Sequence, residues 1–224
     1  MMTNPHSAGP SRHSLILASN SPRRRELLAE AGYEFTVVPP ATDVECGVCS
    51  ESGPSGLVTE LAFRKAAAVA RQIRDQQQRE WPPALPGPVI LAADTVAECD
   101  GLILGKPRDE ADARTMLKQL SGREHRVLTG VCLWPLALSL PSGEDRSEGA
   151  PLVRVSATRL RMDSLSDRQL DEYLASGQWE GKAGAFGYQD RLGWVHIAEG
   201  SESNVVGLPM ELLAQMLQEL ENHQ

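Results

Sequence analysis

Short apolar runs and longer amphipathic stretches alternate along the chain. Residues 14–18 and 34–38 read as short buried strands, with a helix from Pro22 to about Ala31 between them and Gly32 as its stop. From Leu57, "LVTELAFRKAAAVARQIRDQ" places Leu57, Leu61, Phe63, Ala67 and Ile73 near helical spacing. A proline-rich connector at 76–88 leads to "VILAAD" (89–94), a continuous apolar run typical of a strand buried on both faces. A hairpin return follows at 101–107, turning on Asp100-Gly101. A helix at 109–122 has Asp109 as its cap and closes at Gly122. Residues 125–134 and 151–162 alternate as strands around a polar loop. Ser166 and Gln169 form a capping box ahead of the next helix. "WVHIAEGS" (194–201) predicts a further strand, and a closing helix starts with Pro209 at its first position. The order, with both crossovers and hairpins and no internal repeat, predicts an α/β protein: a mixed twisted sheet with flanking helices.

Charge and composition narrow the function. The 224 residues carry a net charge of −8, which argues against a general nucleic-acid binder. No run of about 18 apolar residues exists to span a membrane. Residues 1–13 are polar and lack the apolar core of a signal peptide, so they read as a disordered tail ahead of one domain at 14–224. Cys46 and Cys49 form a CxxC among glycine, serine and proline, without a second ligand pair for zinc, and read as incidental loop cysteines. A reducing cytoplasm is the expected location.

Against this acidic background one basic turn stands out. In "SNSPRRRELL", Ser21 and Pro22 suit a helix start, yet the helix dipole there disfavours Arg23, Arg24 and Arg25. An anion at the exposed N–H groups would reconcile them, since arginine pairs with phosphate oxygens in a fork. Solvated arginines, with Arg23 beside Glu26, are the alternative. Asp94, read as following a buried strand at its carboxyl end, could hold a metal or activate water, or merely cap a turn. Lys106, in a loop after the hairpin, suits a phosphate or solvent. Lys182 sits among the small residues of "GKAGAFG", which permit close backbone approach or tight packing. His125 and His196 lack any catalytic spacing and are expected to make stabilising contacts.

Taken in order, "LASNSPRRRELL", "LAFRKA", "AADT", "GKPRD", "LSGREHRVLTG", "YLASG…GKAGAFGYQ" and "VVGLPM" resemble the Maf family of nucleotide pyrophosphatases. The resemblance implies two lobes around a nucleotide cleft, as in the related ITP-clearing enzymes, and hydrolysis of nucleoside triphosphates to monophosphate and pyrophosphate. It implies a proton-accepting Asp94 and a phosphate-binding turn of Ser19, Arg23 and Arg24, with Arg25 facing solvent. Lys65, Lys106 and Lys182 match lysines of the phosphate site. Arg23, Thr95 and Gln189 match the subfamily that prefers dTTP and UTP, and modified pyrimidine nucleotides are a further expected class. A divalent metal, Mg²⁺ or Mn²⁺, is implied at Asp94 and Glu45, and a homodimer is a family-level expectation. A non-catalytic nucleotide-binding regulator is the other class that the family suggests. Three positions depart from the family pattern. The acidic pair after the second strand is offset to Asp43 and Glu45, of which Glu45 fits better. Arg64 replaces an acidic residue beside Lys65, and Asp190 replaces a glycine after Gln189.

Overall fold

A computed structural model describes residues 14–41, 52–76, 88–136, 149–190 and 192–222. The strands are β1 (Leu15–Leu17), β2 (Phe35–Val37), β3 (Val89–Cys99), β4 (Leu102–Leu104), β5 (Glu124–Pro135), β6 (Leu152–Met162) and β7 (Val195–Glu199). The helices are α1 (Pro22–Glu30), α2 (Gly53–Gln76), α3 (Glu110–Leu120), α4 (Asp167–Ala175), α5 (Glu202–Val206) and α6 (Met210–Asn222). They build one seven-stranded sheet in the order β2-β1-β3-β5-β6-β7, with β4 also on β3. β1 runs parallel to β2 and β3, and the remaining pairs are antiparallel. The expected mixed α/β architecture is therefore present. No helix among the described residues is long and apolar enough to cross a membrane.

The alternation of side chains along β3 sorts the layers. Val89, Leu91 and Ala93 pack with Leu28 of α1 and with Leu213, Met216 and Leu217 of α6. Ile90 and Ala92 face the other way, against Ala62, Ala66, Val69 and Ala70 of α2. Farther along, Ala97 and Cys99 join Leu120, Val127, Leu160 and Met162, and α3 packs on α4 through Ala113, Leu117, Leu170 and Leu174. Among the described residues, one face of the sheet carries α2. The other carries α1 and α6 at one end and α3 and α4 at the other, with the short α5 between them on β5 and β6.

Several expectations about the elements are corrected. β3 does not stop at Asp94 but runs on to Cys99. β5 pairs with one edge of β3 over Val89–Glu98. The opposite edge is shared: β1 covers Val89–Leu91 and β4 covers Ala97–Cys99. Residues 92–96 form an open window on that edge, so a polar Asp-Thr pair is tolerated inside a buried strand. The α2 helix begins at Gly53, four residues before Leu57, because Pro54 fits a first helical turn. Pro209 precedes α6 and gives its carbonyl to the Leu213 N–H at 2.9 Å, the bond of an N-cap residue and not of the first helical one. The short α5 was not expected. Elsewhere the local chemistry holds. Asp100 and Gly101 both take positive φ in the β3–β4 turn, Asp109 accepts from the Asp112 N–H, and the Ser166–Gln169 capping box is formed.

Candidate active site

The window in β3 opens into a cavity of about 580 Å³ between the two helical ends. The chain leaves β1 at Ala18, whose N–H still reaches the Leu91 carbonyl at 2.8 Å. It then turns through Ser19, Asn20 and Ser21 directly over the window and enters α1. Ser21 stands at the N-cap position, but its side chain makes no capping bond. Its own N–H instead donates to Ser19 Oγ at 3.1 Å. The first turn of α1 contains no acidic residue, so its N–H groups together with Arg23 and Arg24 present one positive surface to the cavity.

Arg24 is fixed from three sides. Its Nε donates to the Gly207 carbonyl at 2.8 Å, Nη1 to Ser19 Oγ at 3.1 Å and Nη2 to Thr95 Oγ1 at 3.2 Å. Thr95 Oγ1 lies 3.0 Å from Thr129 Oγ1, and Thr129 donates to the Asn204 carbonyl at 3.1 Å. Asn204 in turn donates to the Val127 carbonyl and to Thr158 Oγ1, pinning α5 to the sheet. Thr95 thereby orients Arg24, a role that its place in "ADT" did not reveal. Arg23 lines the cavity as well, while Arg25 is exposed and does not.

Asp94 points to the α2 face, like Ile90 and Ala92. There Lys65 Nζ donates to Asp94 Oδ1 at 2.5 Å, with both side chains about nine-tenths buried. Gly130 makes this contact reachable. It stands opposite Asp94 in the β3–β5 register, and a Cβ there would lie 2.3 Å from the Val58 carbonyl. Only glycine lets α2 lie that close to the sheet. The sequence reading placed Gly130 in a strand without a role; its signal was a glycine inside an alternating strand. Arg64, one residue away, pairs with Glu60 at 2.6 Å on the exposed side of α2 and stays out of the site.

The glycine-rich segment closes the far wall. Gly184 sits at φ +68°, where a Cβ would lie a tight 3.0 Å from Ala97 and 3.3 Å from Leu120, and its N–H donates to the Gly105 carbonyl at 3.0 Å. This joins the segment to the loop that carries Lys106, and both Lys106 and Lys182 line the cavity. Lys182 is not simply offered to a ligand: its Nζ contacts both oxygens of Asp190 at 2.5 Å, and Tyr173 donates its hydroxyl to the same carboxylate at 2.9 Å. Burial pushes the Lys182 pKa down, Asp190 opposes this, and nearby Arg23 adds to the fall. Asp190, the departure from the family pattern, is thus the lysine's counter-ion. The segment is tightly packed and also lines the cavity.

Of the expected site residues, Ser19, Arg23, Arg24, Lys65, Asp94, Thr95, Lys106 and Lys182 converge on the one cavity. Glu45, with Asp43, Cys46 and Cys49, lies outside the described residues, as do residues 1–13 and the side chain of Gln189. His196 makes a stabilising contact, with Nε2 at 3.0 Å from Asp163. His125 does not: it lines the cavity, and its buried Nδ1 has no well-formed hydrogen bond.

One end of the cavity is cationic, with Asp94 as its buried carboxylate and Glu180 also on the cavity lining. The other is floored by Ala97, Leu120, Val127, Leu160 and Val195. Such a division suits a ligand with a polyanionic head and a flat apolar-faced group, and defines a nucleotide-type site on an α/β sheet. The chain belongs to the Maf family, whose model, described as Maf-like protein, matches residues 14–220. A dTTP/UTP pyrophosphatase of Rhodopirellula baltica is 49% identical over 98% of this chain and 87% of its own length. One from Symbiobacterium thermophilum is 42% identical over 91% and 92%, and one from Ruminiclostridium cellulolyticum 36% over 92% and 96%. The solved structure of the Staphylococcus aureus Ham1 protein gives a TM-score of 0.48 at 15% identity, covering 92% of this chain and 98% of that one. That likeness is too distant to bear on the reaction.

Proposed function

We infer that this protein is a nucleoside triphosphate pyrophosphatase that hydrolyses dTTP and UTP to the monophosphate and pyrophosphate. The observation that carries the reading is the Lys65–Asp94 pair in the open window of β3, directly beside the arginine-bearing start of α1. The dTTP/UTP pyrophosphatases among its relatives support the choice of substrate. The resemblance at Arg23, Thr95 and Gln189 supports the pyrimidine preference, and Thr95 also orients Arg24.

In this reading the triphosphate lies along Arg23, Arg24, Lys106 and the N–H groups of the first turn of α1. Positioning and charge stabilisation are the main catalytic contributions to such a transfer. Lys65 holds Oδ1 of Asp94, which leaves Oδ2 to take a proton from the water that attacks the α-phosphorus. The α–β oxygen bridge breaks, and pyrophosphate leaves on the cationic end. Lys106, next to the mobile charge of the leaving group, offsets the negative charge that develops there.

Among the described residues no group of three or more His, Cys, Asp or Glu could cage a metal. One buried carboxylate facing a triphosphate nevertheless fits Mg²⁺ or Mn²⁺, because Mg²⁺ takes one or two carboxylates, substrate phosphates and water. Asp94 would hold it, with Glu45 as the expected second ligand. Such an ion would supply charge neutralisation across the phosphate oxygens. The same reading makes the protein a cytoplasmic enzyme of free nucleotides, and a homodimer is the assembly expected of it.

The test is pyrophosphate release from dTTP, UTP, CTP, ITP and 7-methyl-GTP with Mg²⁺ or Mn²⁺. Turnover of dTTP and UTP well above the others is expected. Turnover of ITP or 7-methyl-GTP without UTP would overturn the base assignment, and binding of UTP without any turnover would favour the regulator.

A further inference from the structure

His125 is a polar group in the wrong place for a packing residue. It lies on β5, opposite Leu160 of β6 and two residues before Val127, on the sheet face that floors the cavity. The residue is 6% exposed. Its Nδ1 is sealed from solvent without a well-formed hydrogen bond, the Arg123 backbone being the polar group beside the ring, and Nε2 is the nitrogen left to the cavity. A buried imidazole on an apolar floor is costly unless its accessible nitrogen finds a partner. Along β5 it stands four residues from Thr129, which joins the Thr95–Arg24 group, so the arginine turn does not supply one.

We propose that His125 reads the nucleobase: its Nε2 meets the O4/N3–H edge of a uracil or thymine laid over Val127, Leu160 and Val195. The inference rests on the nucleotide reading of the site and names the group that recognises the base. Burial pushes the imidazole pKa down, partly opposed by the Arg123 backbone, so the ring offers a neutral donor or acceptor to a neutral base. The apolar floor is indifferent to a C5 methyl, and thymine and uracil share the same polar edge. One histidine therefore serves both.

The test compares kcat/KM for UTP with that for ribose 5-triphosphate, which lacks the base. His125→Leu is expected to lower the UTP to ribose-triphosphate ratio about tenfold or more, since a site built to hydrogen-bond its substrate loses that preference with the group. His125→Gln, which keeps a donor and an acceptor, is expected to retain part of it. A ratio unchanged in His125→Leu, whether both rates hold or both fall together, would overturn the proposal. A second measurement uses the unmodified protein. UMP should move the ¹⁵N imidazole resonance of His125 Nε2 and inorganic pyrophosphate should not; equal responses, or none to UMP, would also overturn it. Failure of the protein to release pyrophosphate from UTP would strike the functional reading first, whereas the UMP titration judges His125 by itself.

Discussion

Lys65 and Asp94 form a buried ion pair, Nζ to Oδ1 at 2.5 Å, that ties the middle of α2 to the open window of β3. Removing Lys65 leaves the Asp94 charge buried without that partner. Lys65→Met is therefore expected to cost about 3–5 kcal/mol of folding stability, read from the shift of a urea unfolding midpoint. Lys65→Met with Asp94→Asn should recover much of that loss. Asp94→Asn by itself should reduce turnover of UTP by about 10²–10⁴-fold, the range for losing a general base, while UTP still binds.

The arginine turn separates into two roles that a mutant pair can distinguish. Arg24 holds Gly207, Ser19 and Thr95 at once, a fork that lysine cannot reproduce. Arg24→Lys should lower kcat/KM for UTP by about 10–100-fold, as expected for a misplaced phosphate grip. Arg25→Ala should stay within about twofold, because this side chain is exposed and away from the cavity. Equal losses in the two variants would contradict the assignment.

Asp190 receives both Lys182 and Tyr173. Asp190→Asn removes the charge and keeps the shape, so Lys182 would remain buried without a counter-ion. A stability loss of about 3 kcal/mol is expected, measured by denaturant unfolding. A loss below about 0.5 kcal/mol would mean that the lysine finds solvent or another partner.

His125 gives the protein a pH dependence of stability with a definite sign. Its folded-state pKa lies below the ordinary value of 6.5 because burial disfavours the imidazolium. The unfolded chain thus binds this proton more readily than the folded one. The contribution is complete above about pH 6.5 and is lost as pH falls below it toward the folded pKa. The thermal midpoint should decline between pH 7 and pH 5 more steeply in the unmodified protein than in His125→Leu. Parallel declines would show that His125 titrates as it does in the unfolded chain.

Much of this architecture was legible because local chemistry and burial agreed. The α1 start, the Asp100-Gly101 turn, the Asp109 cap and the Ser166–Gln169 box each follow from a few adjacent residues. The misses share a cause, since each depends on a partner distant in sequence. β3 could be read through Asp94 only by knowing that β1 and β4 cover the two ends of one edge. Gly130 matters because α2 passes 2.3 Å from where its Cβ would be. The histidine in "LSGREHRVLTG" belongs to the cavity only because β6 brings Leu160 beside it. The lysine of "GKAGA" could be read as a phosphate ligand, but its pairing with Asp190 required the fold of the segment between them.

The most direct test of the central claim is the position of bond cleavage. UTP is hydrolysed in H₂¹⁸O with Mg²⁺, and the products are resolved by mass spectrometry. Attack by an Asp94-activated water on the α-phosphorus predicts one ¹⁸O in UMP and unlabelled pyrophosphate. Label in pyrophosphate, or release of UDP and inorganic phosphate, would contradict it.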